Sequence, residues 1–191
     1  MAYFPAFIKL DDRKVLLVGG GRIAAEKLEK LLDFTADITI VAPEISEAVE
    51  TMARGRGLTV RRRPYEPGDL EGIFVAVVAV DDLDLQKEIY EACQSRHMLC
   101  NSVDSVDYCD FIFPSYTKKG ALTVAFSTSG ISPSVAKYLR RAVEASIPDT
   151  IADFLEEMKR LRASLPKGKE RMRLLDAKAK DYIEKLFNKE L

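Results

Sequence analysis

The chain has 191 residues, with 29 lysines and arginines against 30 aspartates and glutamates and a formal net charge of -1. This length allows one domain, or one domain with an appendage. The balanced charge lacks the basic excess of a general nucleic-acid or membrane-surface binder, so we expect neither partner.

Three cysteines, an odd number, favour reduced thiols over a disulfide framework. The start of the chain has no basic segment followed by a signal-length apolar run. The longest apolar run, residues 73–80, is too short to span a bilayer. These features predict a cytoplasmic location.

The first pattern in the chain is a buried strand, residues 15–18, followed by a glycine turn and a helix of apolar periodicity. Gly19, Gly21 and Ala24 give G-x-G-x-x-A between them, which predicts a dinucleotide-binding turn. Gly19 permits the tight turn, Gly21 lets the backbone approach a pyrophosphate, and Ala24 allows close helix packing. The helix N–H groups would face the phosphates. The alternative is that three consecutive glycines form only a flexible turn.

Strands and helices then alternate. We expect an apolar lead-in at 3–10 to pack beside the first strand. Further strands are expected at 38–41, 58–61, 73–79 and 98–100. Helices are expected at 44–54 and from Asp81-Asp82 to 95, and a loop at 64–72. This alternation predicts an α/β fold with a Rossmann-like, doubly wound parallel sheet. Ligands of such sheets bind outside the carboxyl ends of the strands. Gly19, Val41, Val80 and Asn101 are therefore expected to line one crevice.

The second half changes character. Residues 111–114 and 122–126 look like strands joined by a turn at 118–120, and Ser132 and Pro133 give a strong helix start. Two amphipathic helices follow, broken at 166–168. We therefore expect a Rossmann-like NAD-binding domain at 1–113, a β-hairpin and helix segment for dimerisation and substrate at 114–146, and a helical C-terminal domain at 147–191.

The spacing of Cys93, His97 and Cys100 suggests a zinc site. Structural zinc normally has four closed ligands, and no fourth ligand is placed nearby. One cysteine falls in a predicted helix and the other in a buried strand. We therefore expect no resident metal site.

Several motifs in one order carry a family resemblance. The chain resembles the precorrin-2 dehydrogenase / sirohydrochlorin ferrochelatase family, the siroheme synthase module, over roughly residues 3–145. The matching segments are Phe4-Pro5-Ala6-Phe7, Val18-Gly19-Gly20-Gly21-Arg22-Ile23-Ala24 with Lys27, Val41-Ala42-Pro43, Asn101-Ser102-Val103-Asp104, Phe111-Ile112-Phe113-Pro114-Ser115, and Ser127-Thr128-Ser129-Gly130-Ile131-Ser132-Pro133.

The resemblance implies NAD-dependent dehydrogenation of precorrin-2, a tetrapyrrole, to sirohydrochlorin in siroheme synthesis. In some members it also implies insertion of Fe²⁺, so Fe²⁺ or Co²⁺ is a candidate substrate ion. A homodimer is implied as well. By position, Asp104 matches the catalytic aspartate, and Arg22, Ile23, Pro43 and Glu44 match the cofactor contacts. Val80 and Asp81 are further candidate cofactor contacts after the fourth strand, where the family often has Thr-Asp-Asp and this chain has Val80-Asp81-Asp82.

The cofactor's identity depends mainly on this resemblance, which favours NAD. An acid at the end of the second strand normally accepts the ribose 2′-OH. Here Glu44 comes one step late, and it is equally a first-turn helix acid. No arginine directly follows Val41 to clamp a 2′-phosphate, although Arg22 could contact phosphate.

Asp104 follows a strand expected to end in the ligand crevice. A carboxylate there can accept the proton lost when the macrocycle gives up a hydride. In metal insertion it could take a pyrrole proton or guide the cation. The alternative is a turn aspartate that bonds its own backbone.

The substrate that the resemblance implies carries eight carboxylates, which need cations and hydrogen-bond donors. Candidate residues are Asn101, Ser127, Ser129, Ser132 and Lys137. Alternatively, the serines only cap a helix and the lysine is solvated.

A competing function is an NAD(H)- or tetrapyrrole-sensing module without catalysis. It is suggested by the displaced acid after the second strand and by Val80, where the family often has threonine.

Overall fold

The computed structural model describes residues 3–103 and 105–188. The chain forms two compact units, Tyr3–Ile112 and a second unit that begins at Phe113. The further boundary expected at residue 146 stays a prediction.

The first unit contains a five-stranded sheet. Its strands are β1 (Lys14–Val18), β2 (Ile38–Val41), β3 (Thr59–Arg61), β4 (Ile73–Val78) and β5 (Leu99–Ser102). They pair in the order β3-β2-β1-β4-β5, and every pair is parallel. The predicted Rossmann-like sheet is confirmed. The strand order reverses between β1 and β4, which is the switch point where such sheets bind ligands.

Three helices connect these strands, α1 (Arg22–Leu32), α2 (Glu47–Arg56) and α3 (Leu83–Gln94), together with short 3-10 turns at Pro67–Leu70 and Val106–Tyr108. The apolar spacing of α1 buries Ala24, Leu28 and Leu31. The side chain of Asp82 caps α3 by accepting bonds from two backbone amides, each at 3.0 Å. Because β1 and β4 are central strands, their apolar runs are buried on both faces.

The apolar lead-in does not pack as expected. Residues 3–10 have no regular structure, and the side chains of Phe4 and Phe7 are 88% and 77% exposed. Both edges of β1 are already occupied, by β2 on one side and β4 on the other. The lead-in therefore has no free place beside β1, and that expectation is wrong.

The second unit is a hairpin followed by three helices. Its elements are β6 (Ser115–Lys119), β7 (Leu122–Phe126), α4 (Pro133–Ser146), α5 (Thr150–Ser164) and α6 (Lys169–Phe187). The strand expected at 111–114 is wrong, because the strand begins only after Pro114, which has no N–H for a ladder bond. The expected turn is also shifted. Lys118 and Lys119 belong to β6, and Gly120 turns the chain with a φ of +59°.

Polar contacts join the helices of this unit to its hairpin. Thr117 Oγ1 donates to Glu144 of α4 at 3.0 Å. Lys119 pairs with Asp149 at 2.9 Å, just before α5. As expected, Ser132 caps α4, with its Oγ accepting from the N–H of Val135 at 3.3 Å. Among the described helices of both units, none combines the length and apolar character that crossing a membrane requires.

Candidate active site

The carboxyl edge of the five-stranded sheet is tied together by backbone bonds just beyond the strands. Gly19 N donates to Val41 O at 2.9 Å, Ala79 N to Val18 O at 2.7 Å, and Val103 N to Val78 O at 2.9 Å. The loops after β1, β2, β4 and β5 therefore leave the sheet side by side. Gly19, Val41, Val80 and Asn101 all lie along this edge.

Two of the three consecutive glycines are required by the chain's own packing. Gly19 has a φ of +122°, and a Cβ there would lie 2.3 Å from Ala79 O. A Cβ on Gly20 would lie 2.1 Å from Glu44 O, and Gly20 O accepts a bond from Ser46 N at 2.8 Å. The loop after β2 thus packs directly on the glycine turn.

We expect Gly20→Ala to destabilise the protein, because the added methyl group meets backbone that cannot move without breaking the bond between Gly20 and Ser46. The expected loss is roughly 1–3 kcal/mol of unfolding free energy, typical of overpacking. Urea denaturation followed by circular dichroism measures it. Gly21→Ala is the matched control, because a Cβ on Gly21 has no neighbouring atom within 4 Å. Equal stability of the two variants would be evidence against this account of the turn.

Gly21 differs from its neighbours because the space in front of it is open. It is the N-cap of α1, no side chain caps the helix, and the first turn carries no acid. The first helix N–H groups are therefore without a side-chain partner, at the positive end of the helix dipole. An uncapped helix start with open space beside a glycine fits the pyrophosphate of a dinucleotide.

The residues that follow Gly21 differ in how far their side chains are buried. Arg22 is the first residue of α1 and not part of the loop, and its guanidinium pairs with Glu26 at 2.5 Å on the surface. Ile23 is half-buried, and Ala24 is fully buried. An exposed pair of this kind contributes little to stability, so the Arg22 guanidinium can exchange Glu26 for a phosphate at small cost.

The loops after β2 and β4 contribute both exposed and buried groups. Pro43 and Glu44 are exposed after β2, and Asp81 is exposed after β4. Val80 is half-buried, and its carbonyl accepts a bond from Gln86 Nε2 at 2.7 Å. Gln86 is 2% exposed, and it fixes the β4 loop from inside the core. Sequence reasoning missed Gln86, although a polar residue on the apolar face of α3 was the available signal.

Asn101 lies within β5 and not after it, which corrects the expected end of that strand. Its side chain is 5% exposed, and its Nδ2 donates to Phe111 O at 2.8 Å. Within residues 3–103 and 105–188, its Oδ1 has no hydrogen-bond partner. Asn101 therefore carries a buried acceptor without a partner among these residues. Asp104 lies outside the described residues.

The chain returns to β5 soon after leaving it. Asn101 forms an isolated bridge with Cys109, and Asp110 N donates to Cys100 O at 2.8 Å. The Asp110 carboxylate accepts from Cys100 N at 2.8 Å and from Gln94 Nε2 at 2.9 Å. The segment that contains position 104 is thus anchored at both ends on the same strand.

A thiol lies inside this loop. Cys109 Sγ lies 3.0 Å from Ser102 O and 3.1 Å from Ser105 O. Burial raises the pKa of the Cys109 thiol, so the group remains protonated at neutral pH and can donate to these carbonyls.

The residues considered for zinc do not form a cluster with other ligands. Across the described part of the chain, no three histidine, cysteine or acidic side chains are grouped to hold a metal ion. Cys93 and Cys100 are buried free thiols, and His97 is exposed.

The serine loop of the second unit is ordered by its own side chains. Ser127 Oγ accepts from the N–H of Ser129 at 3.1 Å, and Ser129 has a φ of +51°. Ser132 caps α4, and Lys137 is exposed on that helix. A serine oxygen that accepts a bond can still donate its own proton. The capping role expected as the alternative therefore does not by itself exclude ligand binding.

The parallel sheet, its switch point and the open glycine turn at a helix start define a dinucleotide-binding protein of the doubly wound class. Residues 6–115 match the model of the putative NAD(P)-binding family. The chain belongs to that family, and its cofactor is a nicotinamide dinucleotide.

Two curated relatives and one solved structure are similar over most of the chain. The siroheme synthase of Sodalis glossinidius is 37% identical over 148 residues, which cover 78% of this chain and 31% of the relative. The siroheme synthase of Zymomonas mobilis is 33% identical over 188 residues, covering 98% of this chain and 39% of the relative. The chain therefore spans about a third of the length of these relatives. The solved structure of SirC, precorrin-2 dehydrogenase, superposes with a TM-score of 0.79 at 27% identity, covering 92% of this chain and 88% of that one.

Proposed function

We propose that the protein is an oxidoreductase of siroheme synthesis, which oxidises precorrin-2 to sirohydrochlorin with NAD⁺. The observation that carries the proposal is the combination of two features in one chain. The first is the open pyrophosphate position at Gly21. The second is the likeness to a precorrin-2 dehydrogenase over 92% of this chain. The siroheme synthase relatives place the same module within larger proteins.

The oxidation removes one hydride and one proton from the tetrapyrrole. NAD⁺ held at the glycine turn would supply the hydride acceptor. We assign the proton to the carboxylate of Asp104, which then releases it to water. The described residues on either side of position 104 are anchored on β5, through the Asn101–Cys109 bridge and the Asp110 carboxylate. A fixed position relative to the reacting atoms is what efficient proton transfer requires of a general base.

The cofactor contacts that we propose follow the carboxyl edge of the sheet. The pyrophosphate would bind at the helix start, the adenosine ribose at the loop after β2, and the nicotinamide near the loop after β4. The residues in these three groups are Gly19, Gly21, Arg22, Ile23 and Ala24, then Pro43 and Glu44, and finally Val80 and Asp81.

NAD, as distinct from NADP, is supported by the charge of the β2 loop. Glu44 is exposed, and no ion pair of its side chain is present among the described residues. A carboxylate accepts a hydrogen bond from the 2′-OH of NAD, and it repels the 2′-phosphate of NADP.

The substrate contacts that we propose come from each unit separately. In the first unit, the unpartnered Oδ1 of Asn101 can accept a pyrrole N–H. In the second unit, the hydroxyl groups of the serine loop and the exposed ammonium of α4 suit the substrate carboxylates. These groups belong to Ser127, Ser129, Ser132 and Lys137. In metal insertion, with Fe²⁺ or Co²⁺ as the substrate ion, Asp104 would accept a pyrrole proton. A cytoplasmic location suits the free thiols of the chain.

An anaerobic assay tests the proposed reaction. Purified protein is mixed with precorrin-2 and NAD⁺, and the absorbance of NADH and sirohydrochlorin is followed together. We expect the two products to appear in equal amounts. Fe²⁺ or Co²⁺ added to the same cuvette then tests for insertion. A folded protein that binds NAD⁺ but forms no NADH with precorrin-2 would exclude the dehydrogenase.

That negative result would instead favour the sensing module. Two observations support this second candidate, namely Val80 at the position where the family often has threonine, and Glu44 beyond the end of β2. A sensor would bind NAD(H) or a tetrapyrrole without turnover.

A homodimer is supported by the unpartnered apolar face of α4 and the loop before it. On one side of α4, the side chains of Val135, Tyr138 and Leu139 are 49%, 64% and 48% exposed, and Ile131 in the loop before the helix is 88% exposed. We expect Leu139→Asp to weaken dimerisation at least tenfold, because a buried unpaired charge opposes association. Sedimentation velocity over a concentration series measures the change. Met172→Asp is the matched control, since Met172 is an exposed apolar residue of α6. An unchanged dimer in Leu139→Asp would refute this interface.

A further inference from the structure

Three consecutive arginines lie at the carboxyl end of β3, where Arg61 is the last residue of the strand and Arg62 and Arg63 follow it. In the parallel pairing of the sheet, Arg61 lies directly beside Val41, the last residue of β2. The N–H of Ala42 donates to Arg61 O at 3.2 Å. The arginines therefore begin at the same point of the sheet edge as the loop proposed to hold the adenosine ribose. An arginine near this ribose is what accommodates the 2′-phosphate of NADP in such folds.

A single buried carboxylate holds two of these guanidinium groups. Asp69 Oδ1 lies 2.5 Å from Arg61 and 2.6 Å from Arg63, and its Oδ2 lies 2.8 Å from Arg63. The Asp69 side chain is fully buried, while those of Arg61 and Arg63 are 45% and 33% exposed. Glu66 N also donates to Asp69, at 3.0 Å. Hydrogen bonds from Arg63, opposed by burial, hold the pKa of Asp69 at about 2, so its charge is present at neutral pH.

The third arginine is also paired. Arg62 contacts the carboxylate of Glu50 on α2, and Glu50 pairs with Arg54 as well, at 3.4 Å. All three arginines at the end of β3 thus have an acidic partner within the protein. Within residues 3–103 and 105–188, none of these arginines pairs with the exposed Glu44.

We infer that Asp69 is a positioning residue that sets cofactor selectivity. By retaining Arg61 and Arg63 it withholds from a 2′-phosphate the cations that would bind it. The inference rests on the proposed binding of the adenosine ribose at the loop after β2. Because Arg61 and Arg63 pair with Asp69 and Arg62 pairs with Glu50, these arginines do not have to favour NADP. This explains how a chain with three arginines at this point of the sheet edge can select NAD, which lacks the 2′-phosphate.

The direct test is Asp69→Asn, which keeps the size of the side chain and removes its charge. We expect the Kd of NADPH to fall roughly tenfold, as charge-assisted hydrogen bonds to one released guanidinium would give. The Kd of NADH should change by less than about threefold. Both are measured by titrating the fluorescence of the reduced cofactor without any tetrapyrrole. No gain for NADPH in a folded Asp69→Asn protein would overturn the inference.

Two controls separate this effect from a general change in charge. Adding Arg61→Gln and Arg63→Gln to Asp69→Asn should abolish the gain, because the released cations are then gone. Glu71→Gln removes one negative charge from an exposed residue two positions further on, and it leaves the Asp69 pairs intact. A similar gain for NADPH in Glu71→Gln would show that net charge, and not the release of arginines, controls selectivity.

A third variant gives a result even if Asp69→Asn does not fold. Arg61→Gln alone removes a half-exposed side chain and leaves the two bonds from Arg63 to Asp69. We expect it to leave the NADPH affinity unchanged, because Arg61 is already occupied. A selective loss of NADPH affinity would overturn the inference. Since these titrations contain no substrate, they report selectivity whether or not the protein oxidises precorrin-2, and a failed turnover assay would bear only on the proposed reaction.

Discussion

Gly21→Asp is expected to abolish NAD(H) binding while the protein stays folded. Gly21 has a φ of −85°, which any residue adopts, and a Cβ there meets no atom within 4 Å. Aspartate is also a preferred N-cap, so α1 should keep or slightly increase its stability. The new carboxylate would, however, occupy the space proposed for the pyrophosphate and repel its charge. We expect the Kd of NADH to rise at least roughly a hundredfold.

Fluorescence titration with NADH, together with a thermal melt of each variant, measures both effects. Gly21→Asn is the matched control, because it adds nearly the same volume without the charge. It should weaken binding less than Gly21→Asp does, and the difference gives the electrostatic part. Normal NADH binding by Gly21→Asp would mean that the pyrophosphate binds elsewhere. A loss of binding accompanied by unfolding would instead contradict the open geometry at this residue.

Asp104→Asn is also expected to have a large effect, on the rate of precorrin-2 oxidation and not on cofactor binding. Asparagine keeps the shape of the side chain but cannot accept the proton that leaves with the hydride. Removing a general base typically lowers the rate by about 10²–10⁴-fold. We expect kcat for precorrin-2 oxidation to fall within that range, whereas the Kd of NADH should stay within about threefold of the unmodified protein.

The control for this variant is Asp107→Asn, in the same loop. Asp107 is exposed and lies in the short turn Val106–Tyr108. The Asp107→Asn variant should retain nearly full activity if the loss of kcat in Asp104→Asn is due to the carboxylate at position 104 and not to the charge of the loop. Full activity of Asp104→Asn would remove this residue from the chemistry. Equal losses in both variants would indicate that the loop acts through its total charge.

The sheet could be predicted because its signals are local. Four apolar residues before a glycine turn, and periodic small and apolar residues after it, locate β1 and α1 without knowledge of the rest. The errors arose where a neighbouring element decides the outcome. The apolar segment at 3–10 resembled a packed element, but β2 and β4 fill both edges of β1. Residues 111–114 looked like a strand, but Pro114 delays pairing until Ser115.

The arginines at the end of β3 were missed for the same physical reason. No arginine directly follows Val41 along the chain. Parallel pairing brings Arg61, twenty residues later, beside Val41. That arginine pairs in turn with Asp69, which lies in the short 3-10 turn Pro67–Leu70. Strand register and the choice of ion-pair partner are tertiary properties, and local sequence patterns do not contain them.

The two outer strands of the sheet have a consequence for the behaviour of the protein in concentrated solution. An unpaired strand edge is a template for joining sheets of different molecules. At one edge, β3 is only three residues long, ends in the charged Arg61 and is followed by Arg62 and Arg63. At the other, residues 109 and 110 return to cover the outer side of β5, and the Asp110 carboxylate occupies the amide of Cys100. Both edges are therefore protected against strand-by-strand aggregation. Residues 109 and 110, which follow position 104 in the chain, thus also cover the exposed edge of β5.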